Sequence, residues 1–83
     1  MEIAAQMRQR LEIAFAPTVL EVVNESHKHA GHAGDDGSGE SHFAVKIRAT
    51  ALAAMGRVAR HRAVHQALGD VVGRIHALSV DAG

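Results

Sequence analysis

FAVKIR, residues Phe43 to Arg48, alternates without interruption. Phe43, Val45 and Ile47 fall on one side of an extended chain, and Ala44, Lys46 and Arg48 on the other. Successive side chains of a strand point to opposite faces, so the pattern predicts a half-buried strand with one wet face. Working back towards the N-terminus, TVLEVV from Thr18 is β-branched and short, and predicts a second strand. The two are neighbours in sequence, which favours an antiparallel hairpin. Their connection, a His-rich loop over 25–41, is soft in composition and long for a hairpin. Further back, Ile3, Met7, Leu11 and Phe15 recur at helical spacing, and Arg8, Gln9 and Glu12 lie off that stripe. This predicts an amphipathic helix over 2–15. Pro17 ends it, because proline restricts the preceding residue and has no N–H to donate.

Working forward, ATALAAMG is Ala-rich and fits a short helix or a turn. A longer helix is expected over 57–72, with His61, Val64, Leu68, Val71 and Val72 on one face and Gly73 as its stop. IHALSV, residues 75 to 80, reads as a third strand. The order is helix, strand, strand, helix, strand. Two helices can cover the apolar face of such a sheet. The expected fold is a small α+β, two-layer αββαβ domain over 1–83, with a three-stranded mixed sheet and helices on one face.

At 83 residues the chain is short, and a core of this size leaves stability marginal. It has no cysteine, so it forms no disulfide and supplies no thiolate to a metal. No apolar run approaches the roughly 20 residues that span a bilayer, and the charged N-terminal stretch does not read as a signal peptide. A cytoplasmic protein with no membrane association is expected. Formal charge is +0 with histidine neutral, which argues against strong non-specific binding to nucleic acid. The chain holds 7 histidines.

The loop motif H-x-H-x-x-H, from His27 through His29 to His32, is not a closed zinc pattern, and ordering a flexible loop costs about 1–2 kcal/mol per residue. His27, His32 and His42 read as solvated loop residues. His61 reads as structural. By strand parity His76 shares a face with Leu78 and Val80, but its place at the strand's start can let it emerge at the sheet edge. Lys46, Arg48, Arg57, Arg60 and Arg62 are candidates for a basic patch. No nucleophile–base–orienter set and no phosphate-binding glycine loop is visible, so no enzyme is expected.

PTVLEVVNESHKH, ESHFAVKI, RHRAVHQAL and IHALSV occur in the order and spacing of BolA-like proteins, and the resemblance covers nearly the whole chain. It implies a fold similar to class II KH domains. It also implies a monothiol glutaredoxin as partner, with a [2Fe–2S] cluster shared at the interface for iron–sulfur trafficking or iron sensing. On the residues that match, His29 in the loop and His76 in Ile75-His76-Ala77-Leu78 are the implied ligands. The remaining ligands are implied to be thiolates from a glutaredoxin cysteine and its glutathione, so the isolated protein is expected to hold no cluster. Imidazole suits iron, and two imidazoles in place of two thiolates raise a cluster's potential, as in Rieske centres. Family members have also been described as transcriptional regulators. That implies an alternative in which the Arg57–Arg62 region binds DNA, weakly. AMGRVA carries a single glycine, so the Gly-x-x-Gly clamp of an RNA-binding KH domain is missing. The resemblance departs at Leu52 and Ala54, where the family carries Phe-x-Gly, and at Gly83, where the sequence ends before the C-terminal helix that relatives often add.

Overall fold

The computed structural model describes residues 2–26 and 41–83. Helix α1 spans Ile3–Phe15, strand β1 Val19–Asn24, strand β2 His42–Arg48, a short helix α2 Thr50–Ala53 and helix α3 Arg57–Leu68. A 3₁₀ segment over Gly69–Arg74 then leads to strand β3, Ala77–Ala82. The sheet order is β1-β2-β3. β1 pairs antiparallel with β2, Val22 opposite Val45, and β2 pairs parallel with β3, Val45 opposite Val80. The expected α+β architecture and mixed sheet are present.

Alternation in β2 places Phe43, Val45 and Ile47 in the core and leaves Lys46 in solvent. Met7 and Leu11 of α1 and Val64 and Leu68 of α3 close over that face, with Leu52 of α2 and Val71 completing the cluster. Each such burial contributes about 1.5–3 kcal/mol, so a domain this small depends on nearly every member of the set. Leu52 is fully buried, so it takes a core position.

Two boundaries differ from the sequence-based expectation. The second long helix stops at Leu68, and Gly69, not Gly73, is its terminator. Gly69 has φ +58° and ψ −130°, a conformation open essentially to glycine alone. Arg10 reaches across from α1 and donates to the Leu68 carbonyl at 2.6 Å and to Asp70 Oδ1 at 2.7 Å, so the exposed end of α3 is capped by another helix. Val71 and Val72 therefore pack from the 3₁₀ segment rather than from the helix. The third strand begins at Ala77, later than expected, and runs to Ala82. At the end of α1, Ala16 takes a left-handed conformation with φ 45° just before Pro17.

Candidate functional site

The root of the His-rich loop is built from two serines. The Asn24 side chain accepts the Ser26 N–H at 2.9 Å, a local turn that redirects the chain as it leaves β1. Ser26 Oγ then accepts two backbone N–H groups from the far side of the loop, Ser41 at 2.8 Å and His42 at 3.1 Å. The Glu25 N–H donates to the His42 carbonyl at 2.8 Å. Both serines are buried. The two ends of the loop are thus pinned together by one hydroxyl. The segment 27–40, with His27, His29 and His32, lies outside the described residues, so the expected loop over 25–41 and the ligand role of His29 are not placed.

Ser41 also ties in β3. Its carbonyl accepts the N–H of His76 at 2.8 Å and of Ala77 at 3.1 Å. These bonds fix the backbone of His76 one residue ahead of the strand, and its side chain is exposed. The parity that would have grouped His76 with Leu78 and Val80 does not apply, because the strand starts after it.

His42 differs from the expectation of a solvated loop residue. It is the first residue of β2, 7% exposed, with Nδ1 2.8 Å from Ser41 Oγ. Its ring lies against that of His76, centroids 5.3 Å apart and planes inclined by 53°. The sequence carries a signal for this arrangement, a serine bracketing each end of the loop and a histidine directly before the alternating run, but nothing in periodicity turns it into burial. Among the described residues no three His, Asp or Glu side chains come together as a metal-binding group.

The candidate basic residues are divided between strand β2 and helix α3. Lys46 lies on the open face of the sheet, in register with Glu21 on one side and Asp81 on the other. Arg48 is paired with Asp81 at 2.9 Å. Arg60 donates through Nε to the Leu52 carbonyl at 2.9 Å, at the end of α2. Arg57 and Arg62 stay exposed on α3. His61 is half-buried and His65 exposed on the same helix. No helix among the described residues is long and apolar enough to cross a membrane.

A three-stranded mixed sheet, covered on one face and presenting an exposed imidazole where a long loop is rooted, defines a small scaffold class. The family model described as BolA-like protein matches residues 11–83, and the chain belongs to that family. A Sinorhizobium protein described as an uncharacterized protein in the cobS 5′ region is 47% identical over 83 residues, covering 98% of this chain and 89% of its own length. Mouse BolA-like protein 1 is 41% identical over 81 residues, 96% of this chain but 56% of that protein. A Vibrio cholerae protein named DNA-binding transcriptional regulator BolA is 39% identical over 75 residues, 89% of this chain and 67% of its own. The solved structure of BolA1 from Arabidopsis thaliana superposes with a TM-score of 0.82 at 38% identity, covering 95% of this chain and 87% of that one.

Proposed function

We propose that this protein is a non-catalytic adaptor that shares a [2Fe–2S] cluster with a monothiol glutaredoxin, in iron–sulfur trafficking or iron sensing, with the cytoplasm as its setting. The observation that carries the reading is the placement of His76. Its backbone is bonded to Ser41, its ring is exposed, and it stands beside the root of the loop that carries His29. An exposed imidazole on an anchored backbone suits a ligand that a second protein must reach. The donor chemistry fits the cargo: neutral imidazoles suit iron, and a chain without cysteine must take its thiolates from outside. In this reading His29 and His76 come from this protein, and the glutaredoxin cysteine and glutathione complete the set. The family description names no reaction.

The test is reconstitution with a monothiol glutaredoxin, glutathione, iron and sulfide, followed by visible absorption and circular dichroism. A mixed-ligand spectrum that co-elutes with both proteins is expected, and this protein alone should remain colourless. A spectrum identical to that of glutaredoxin alone, with no co-elution, overturns the proposal.

A second reading, a DNA-binding regulator, is favoured by the name of the Vibrio relative and by the exposure of Arg57 and Arg62. With few exposed cations free of an ion pair among the described residues, binding should be weak and steeply salt-dependent. Titration against several duplexes at near-physiological salt decides it: sequence-specific affinity at or below about 10⁻⁸ M would put this reading first.

A further inference from the structure

Ser41 Oγ is wholly buried, and His42 Nδ1 is its partner among the described residues. A serine hydroxyl has one proton to give, and a buried donor left without an acceptor is costly. Were His42 to carry its proton on Nδ1, that N–H would donate to Ser41 and leave the serine proton without an acceptor there. The arrangement is satisfied when Ser41 donates and Nδ1 accepts, which puts the imidazole proton on Nε2. The same bond fixes the plane of the His42 ring, and that ring packs against His76.

We propose that Ser41 and His42 are positioning residues for His76. Ser41 locks His42 as the neutral Nε2–H tautomer, and the locked ring braces the exposed His76 imidazole. His42 is consequently a hydrogen-bond donor at the site and not one of its ligands, since one ring nitrogen is engaged by Ser41 and the other holds a proton. Outer groups of this kind commonly set the orientation of a ligand and the properties of what it binds. The role assigned to His76 rests on the adaptor reading above; the tautomer and the bracing do not.

Two measurements test this. In the isolated protein at neutral pH, long-range nitrogen–proton NMR correlations should show His42 as a single Nε2–H tautomer. Ring-to-ring contacts to His76 and one dominant His76 rotamer should accompany it. In Ser41→Ala the tautomers should mix, and in both Ser41→Ala and His42→Ala the His76 rotamers should average, with backbone amide spectra confirming the fold. His42 found as Nδ1–H or as imidazolium, or a His76 rotamer indifferent to both substitutions, overturns the proposal. In the glutaredoxin complex, His42→Ala should keep the mixed-ligand spectrum but lose the cluster about tenfold faster. Loss as complete as in His76→Ala would make His42 a ligand and overturn it. Absence of the mixed spectrum in the wild type would defeat the adaptor reading instead, and the NMR result would still decide this one.

Discussion

The N–H of His76 donates to the carbonyl of Ser41 at 2.8 Å, so a residue outside any strand is held as firmly as one inside the sheet. For the proposed loop ligand, His29, the sequence offers substitutes two and three residues away, His27 and His32. His76→Ala should therefore abolish the mixed-ligand cluster signature with glutaredoxin, whereas His29→Ala should weaken or alter it while the complex still forms. Both variants should stay folded, His76→Ala within about 0.5 kcal/mol of wild type because its side chain is exposed. Cluster spectra and dissociation kinetics of both single variants and the double variant provide the check.

Ser26→Ala removes the acceptor of two N–H groups at the loop root. A loss of about 1–3 kcal/mol is expected, the usual penalty for orphaned buried donors. Hydrogen exchange should localise it, with the amides of Ser41 and His42 losing protection before those of Val45 and Ile47.

Gly69→Ala should be among the more damaging exposed-site changes. Its φ of +58° disfavours any side chain, and an added Cβ would approach Arg10 Nη1 to 3.1 Å. A cost of about 1–3 kcal/mol in urea unfolding is expected. Gly73→Ala, with open space around the position, should cost far less.

Ala16→Gly should move stability the other way. The left-handed conformation of Ala16 carries a steric penalty that glycine avoids, so a gain of about 1 kcal/mol is expected from chemical denaturation.

The hydrogen bond and charge of Arg10 hold the Asp70 carboxyl below its ordinary value of 3.8. A depressed carboxylate contributes stability that is fully present above the ordinary value and is lost as pH falls through the folded one. The difference in melting temperature between wild type and Asp70→Asn should therefore be largest near pH 6 and close as the solution is acidified below 3.8. Because Asp70 is exposed, added salt should narrow it as well. A difference that persists unchanged into acid would show that the ion pair is not its source.

Strand β2 and helix α1 were legible because their residues report their own periodicity: Phe43, Val45 and Ile47 by twos, Met7 and Leu11 by fours. Pro17 announced its own boundary. The end of α3 was not legible, since Gly69 and Gly73 look alike until Arg10, far away in sequence, caps Leu68. The burial of His42 was hidden for the same reason. Parity groups it with Ala44 and Lys46 on the wet face, and the ring of His76, distant in sequence, packs beside it. His76 itself was singled out by family resemblance, and its exposure follows from a strand that starts one residue later. Ser26 and Ser41 went unassigned because a serine beside a polar loop looks like loop composition until its hydrogen bonds are known.

Parallel pairing of β2 with β3 has a kinetic consequence. A parallel neighbour cannot be joined by a tight turn, so β3 docks only after α2 and α3 have crossed over the sheet, and contacts between segments so distant in sequence form slowly. The hairpin of β1 and β2 closes locally and without His76. A chain emerging from synthesis thus can form the hydrogen bonds of Ser26 to Ser41 and His42 before it has the second histidine beside them. The imidazole pair comes into being with the last strand, so only a completely folded copy sets the exposed His76 ring against the buried ring of His42.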